Sequence, residues 1–100
     1  MISQNEVHLA GWLVNDAVVG YTKDNREVAI FTMVTYRDND REKREYHRVV
    51  SLRNASEIGI LKFGEGVHVW GTLHTRTYTT KDGIEKAVTE IIAHNVTMEI

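Results

Sequence analysis

The sequence predicts an all-β domain, a five-stranded barrel with one short α-helix between its third and fourth strands. Three observations predict it. Five segments are patterned as strands, Asn54-Ala55-Ser56-Glu57 has the spacing that starts a helix, and Thr79-Thr80-Lys81-Asp82-Gly83 places an Asp-Gly turn signal before the last strand. At 100 residues, 42% hydrophobic and 26% charged, the chain is long enough for one compact core and too short for two, so residues 1–100 are read as one domain.

The first strand runs from Glu6 to Val14, with Val7, Leu9, Gly11 and Leu13 on one side. A glycine in mid-strand predicts a bulge or sharp bend at Gly11. After a loop containing Lys23-Asp24-Asn25, Glu27 to Tyr36 is apolar on both faces and reads as a central strand. Arg37 to Arg44 alternates charges without apolar anchors and reads as a mobile, solvated loop or hairpin tip, after which Glu45 to Leu52 resumes as a strand. Asn54 as N-cap and Glu57 three residues on predict a helix of roughly two to three turns ending at Gly64, with Ile58 and Leu61 inward. Strands from Gly66 to about Tyr78 and from Ile84 to about Met98 complete the chain. The order β-β-β-α-β-β is that of an OB-fold barrel.

Cysteine is absent, which excludes disulfides and thiolate metal sites. No stretch approaches the roughly 18 apolar residues of a membrane span, and Met1-Ile2-Ser3-Gln4 lacks the order of a signal peptide, so a cytoplasmic protein is expected. The net charge of −2 argues mildly against a nucleic-acid binder. Its distribution argues the other way, because Arg37, Arg41, Lys43, Arg44, Arg48 and Arg53 cluster while Glu85, Glu90 and Glu99 belong to the C-terminal stretch.

A period of two in the fourth strand puts Val67, Val69, Gly71 and Leu73 on one face and Trp70, Thr72, His74, Arg76 and Tyr78 on the other. The third strand places Tyr46, Arg48, Val50 and Leu52 on one side, and Tyr36-Arg37 ends the second. Aromatic rings interleaved with guanidinium groups suit an unpaired nucleic-acid strand, because bases stack on rings and phosphates are held between them, at about 1–3 kcal/mol per stacked base. Tyrosine, threonine and arginine are also ordinary residues of a solvated sheet face. Trp12 and Trp70 read as core or subunit-interface residues rather than stacking platforms.

Asn5-Glu6-Val7 with Leu9-Ala10-Gly11, Phe31-Thr32-Met33-Val34-Thr35, Glu45-Tyr46-His47-Arg48-Val49-Val50 and Gly71-Thr72-Leu73-His74-Thr75-Arg76 resemble, in order and spacing, the bacterial single-stranded DNA-binding proteins. The likeness covers nearly the whole chain. It implies an OB-fold that assembles into a homo-oligomer, usually a homotetramer with a dimer also possible, and wraps single strands in replication, recombination and repair. The family's third strand typically reads E-W-H-R-V-V and its fourth ends G-x-L-R-T-R-x-W, so Tyr46 and Tyr78 stand where tryptophans are usual. By the same resemblance Arg48 and Arg76 match family arginines, Tyr36 lies close to another stacking tryptophan, Leu52 falls near a stacking phenylalanine, and His74 replaces a common arginine. Arg37, Lys43, Arg53 and Lys62 complete the expected DNA-binding set. The family usually continues into a flexible linker with an acidic tip that recruits other proteins. This sequence stops at Ile100 without a proline, so either a truncated piece or a tail-less relative is expected, and tail-mediated partners are not carried over.

His8, His47, His68, His74 and His94 fall on several strands without ligand-like spacing, so no metal site or other cofactor is expected. His47, which resembles a family histidine near the subunit contact, is expected to be packed or at an interface. The sequons at Asn54 and Asn95 have no role in a cytoplasmic chain. Asp16, Asp24, Asp38 and Asp82 are scattered through turns, so neither a metal-dependent nuclease nor another enzyme is expected. The alternative is an OB-fold protein-interaction module of a primosome or conjugation complex with secondary DNA binding. A cold-shock type RNA binder lacks its characteristic segments here.

Overall fold

Glu27–Tyr36, rich in β-branched and aromatic residues, forms the strand around which the sheet closes. The computed structural model describes residues 1–99, so Ile100, the last residue of the predicted domain, lies outside the described residues. The order is β1 (Val7–Leu13), β2 (Val18–Tyr21), β3 (Glu27–Tyr36), β4 (Arg44–Ser51), α1 (Ala55–Ile58), β5 (Gly66–Thr79) and β6 (Glu85–Met98). Neighbours run β1-β5-β6-β4-β3, and pairing of Trp12 with Val34 and of Leu13 with Met33 returns β3 to β1, closing a five-stranded ring. Every pairing is antiparallel except that of β4 with β6, where Val49, Val50 and Ser51 lie beside Ile91, Ile92 and Ala93. Among the five ring strands the predicted order of strands and helix holds.

A sixth strand, β2, precedes the expected loop at Lys23-Asp24-Asn25 and is not among the five expected strands. It pairs only with the first half of β3, from Val18 beside Ile30 to Tyr21 beside Glu27, along the edge that β1 takes further on. It therefore lies outside the ring. Its four residues show no alternation of buried and exposed positions, which removes the period-two signal.

One face of each ring strand fills the core. Leu13, Phe31, Met33, Val49, Val67, Val69 and Ile91 are buried together, and each large apolar side chain so removed from water contributes about 1.5–3 kcal/mol. Gly11 and Gly71 are dictated by this closure. A Cβ at Gly11 would collide with the carbonyl oxygen of Val34, where β1 starts to change partner from β5 to β3. One at Gly71 would collide with the carbonyl of Ile92 and lie 2.9 Å from Ala93 Cα. Of the bulge or sharp bend expected at Gly11, the bulge is not formed: the β1–β5 register runs unbroken through Gly11, and the irregularity falls between Trp70 and Gly71.

Two further expectations are corrected. The helix is one turn, Ala55–Ile58, followed by Gly59; Gly64 lies in a later turn. Asn54 does precede the helix, but its left-handed backbone (φ 54°, ψ 37°) makes no side-chain capping bond, so the predicted capping box is not formed. Ile58 and Leu61 are buried as expected.

The segment 37–43 is the tip of the β3–β4 hairpin, the second of the two expected forms. Arg37 N–H donates to the Lys43 carbonyl, Asp40 N–H to that of Arg37, and Lys43 N–H to that of Asp40. The β5–β6 turn matches its signal, with Thr80 N–H donating to Ile84 O and Gly83 N–H to Thr80 O. Beyond Leu73 and Ile91 the two strands extend as an arm whose β5 side chains are exposed.

Candidate nucleic-acid interface

The outward face of the ring carries the polar and aromatic residues that the period of two excludes from the core. Register fixes their neighbours. Thr32 on β3 lies beside Arg48 on β4, and Glu90 on β6 lies beside His74 on β5. Arg48 and Glu90 join the two pairs into a row across four strands: Arg48 Nε donates to Glu90 Oε2 at 3.0 Å. Arg76, two residues past His74, donates its Nε to Glu90 Oε1 at 3.1 Å.

Glu90 is 6% exposed, and each of its oxygens holds one guanidinium. The arginine side chains stay 43% and 47% exposed, so their terminal nitrogens face outward from a fixed anchor. The sequence places Glu90 with Glu85 and Glu99 in the C-terminal stretch and gives it no role in the site. The available signal was its phase: a single carboxylate between Val88 and Ile92 on the outward side of an apolar strand.

Around this triad, Tyr46 is 58% and Tyr78 45% exposed. Arg48, Arg76, Tyr78 and Val88 line a shallow groove of about 430 Å³. Tyr46 lies directly beside Val34, and Arg44 beside Tyr36. Leu52 is exposed just past the end of β4, and Arg53 follows it, its carbonyl accepting from Ser51 Oγ at 2.9 Å. His74 shares the outward phase of Arg76 and Tyr78.

The remaining expected residues lie further out. Arg37 is 3.6 Å from Glu45, and Lys43 sits 3.8 Å from Asp38 and 3.9 Å from Asp40, all exposed pairs of small energetic weight. Lys62 follows α1, with its amine 4.0 Å from Asp16. A separate cavity of about 350 Å³ is lined by Asn54, Glu57, Ile58, Leu61, Val96 and Met98.

Trp12 does not belong to the core. It is 41% exposed, its ring lies 5.6 Å from that of Tyr36, and the Arg41 guanidinium sits over both rings. The inward phase of Val7, Leu9, Gly11 and Leu13 already implied an outward Trp12. Trp70 stacks on His8 at 4.5 Å, with His68 beside them and bonded to Glu99 at 2.7 Å.

His47 is packed, its Nε2 2.9 Å from Thr35 Oγ1. Burial holds its imidazole below the ordinary value of 6.5, with the nearby Glu45 carboxylate partly opposing. Among the described residues no three His, Cys, Asp or Glu side chains converge as a metal site, and no helix is long and apolar enough to cross a membrane.

The model of the Single-strand binding protein family matches residues 4–99. Single-stranded DNA-binding protein 1 of Xylella fastidiosa is 36% identical over 98% of this chain and 79% of its own length. The single-stranded DNA-binding protein of Xanthomonas axonopodis pv. citri is 36% identical over 94% of this chain, and that of Neisseria meningitidis 34% identical over 97%. This chain spans only 57% and 60% of those two proteins. Among solved structures, a Plasmodium falciparum SSB in complex with ssDNA superposes with a TM-score of 0.80 at 26% identity, covering 100% of this chain and 98% of its own.

Proposed function

The chain belongs to the single-strand binding protein family, and from that premise we propose that it binds single-stranded DNA without regard to sequence. The observation that carries the reading is the exposed group Tyr46, Arg48, Arg76 and Tyr78, with both arginines anchored on one buried carboxylate. Bases stack on Tyr46 and Tyr78, each worth about 1–3 kcal/mol whatever the base. Between them the Nη groups of Arg48 and Arg76 take phosphates, since only their Nε donors are committed to Glu90.

Tyr36 and Leu52 extend the apolar contacts, and Arg37, Lys43, Arg53, Lys62 and His74 supply further donors along the strand's path. Duplex DNA keeps the faces of its bases inside the stack, out of reach of the tyrosines, so it binds weakly. The work of the protein is to cover and protect single strands during cytoplasmic replication, recombination and repair, as a homo-oligomer, a tetramer or a dimer, with no bond made or broken and no cofactor required.

The test is titration with oligo-dT and with duplex of equal length at low and moderate salt. Tight binding to the single strand, weak binding to the duplex, and loss of the former in Tyr46→Ala with Tyr78→Ala support the reading. Equal or absent binding to both would move the assignment to a protein-interaction module.

A further inference from the structure

We propose that Trp12 and Tyr36 form an additional base-stacking subsite, occupied in the free protein by the guanidinium of Arg41, which an incoming nucleobase displaces. The proposal rests on the single-strand binding reading and adds to it a residue on β1 that the family resemblance does not supply.

The geometry points there in three ways. Register places Trp12 beside Val34 and Val34 beside Tyr46, so Trp12 stands on the same outward row as Tyr46, two strand spacings or about 10 Å away. The two rings are tilted by 50° with centroids 5.6 Å apart, a cleft open on one side rather than a closed stack. Into that side Arg41 brings a flat cation, 5.4 Å from the Trp12 ring and 5.1 Å from that of Tyr36. A guanidinium and a nucleobase are both planar and both stack on aromatic faces, so a group that accepts one accepts the other.

Arg41 is also placed to leave. It is exposed, sits in the segment 37–43, and makes no ion pair among the described residues. Its attraction to exposed rings is about 0.5–1 kcal/mol, at or below the 1–3 kcal/mol of a stacked base. Once displaced, the guanidinium remains beside the strand as a phosphate donor. Exchange thus replaces a weak internal contact with a stack and an ionic contact.

The chain holds two tryptophans, which makes the subsite separately visible. In Trp70→Phe the sole tryptophan is Trp12. Titrating this variant with end-labelled oligo-dT, with label anisotropy reporting binding and tryptophan emission reporting the subsite, should quench emission in step with binding. Trp12→Phe, which keeps only Trp70, should show little change. Trp12→Ala should weaken oligo-dT binding by about fivefold or more, and Arg41→Ala should raise acrylamide quenching of Trp12 before any DNA is added. Binding by anisotropy with unchanged Trp12 emission, or Trp12→Ala affinity within about twofold of the parent, would overturn the subsite alone. No binding by anisotropy, in a parent whose circular dichroism is that of a folded β protein, would overturn both the subsite and the reading beneath it.

Discussion

Replacing Glu90 by glutamine isolates what the carboxylate between Arg48 and Arg76 contributes. The substitution keeps shape and volume, leaves one acceptor oxygen, and turns an NH2 toward the second guanidinium, donor against donor. Hydrogen bonds to charged groups contribute about 1.5–3 kcal/mol each, but both arginines are more than one-third exposed and can rehydrate, which pulls their share toward the 0.2–1 kcal/mol of surface pairs. The amide itself is in a position 6% exposed, where an unsatisfied donor costs about 1–3 kcal/mol. The expected loss of stability is therefore about 1–3 kcal/mol, or roughly 5–20 °C in Tm for a domain of this size.

The same change removes a negative charge a few ångströms from where phosphates dock. At a water-like dielectric that repulsion is about 1 kcal/mol, so Glu90→Gln should bind oligo-dT about fivefold more tightly at low salt, with the gain fading as salt rises. Thermal unfolding at matched protein concentration and anisotropy titrations at several salt concentrations read the two effects separately. A variant that melts with the parent refutes the structural part of the argument. A folded variant that binds more weakly at every salt refutes the electrostatic part, since Glu90 would then act mainly by orienting the arginines.

Tyr46→Ala and Tyr78→Ala should each weaken oligo-dT binding by about 5- to 150-fold, whereas the phenylalanine variants stay near the parent; anisotropy titrations decide, with Tm as the control for folding. Gly71→Ala drives a methyl group into the Ile92 carbonyl and should cost several kcal/mol or prevent folding, about 3 kcal/mol or more on the usual scale of such strain, so a variant with parental Tm contradicts the strand geometry. His47, whose pKa burial depresses, favours the fold in its neutral form. That contribution is complete above the unfolded value of 6.5 and is lost as pH falls from there through the lower folded value, so Tm should drop as pH is lowered below 6.5, and His47→Gln should flatten part of the slope. An identical slope in the variant would remove His47 from the account.

What the sequence made legible follows from burial. Ring strands bury one face and expose the other, so the period of two in Val67, Val69 and Gly71 against Arg76 and Tyr78 could be read directly, and β3 was bounded to the residue. β2 buries neither face and α1 is one turn long, too short for a period of 3.6 to repeat, so the first was missed and the second lengthened. At the candidate site, residues that act through their own exposure, such as Tyr46, Tyr78, Arg48 and Arg76, follow from phase and resemblance.

Residues that act through a partner do not follow in that way. Glu90 lies 42 positions from Arg48 and 14 from Arg76, and only the parallel pairing of β4 with β6 beside the antiparallel pairing of β6 with β5 brings all three together. Arg41 reaches Trp12 because β1 crosses from β5 to β3 at Trp12 itself, a change of neighbour that no local pattern encodes. The two contacts share a physical form, a guanidinium held on the outward face by a group from another strand. In both the sequence shows the cation and conceals what restrains it. Where a charged strand residue stands alone on an outward phase, as Glu90 does, the question to put to the sequence is which arginines the ring closure can deliver to it.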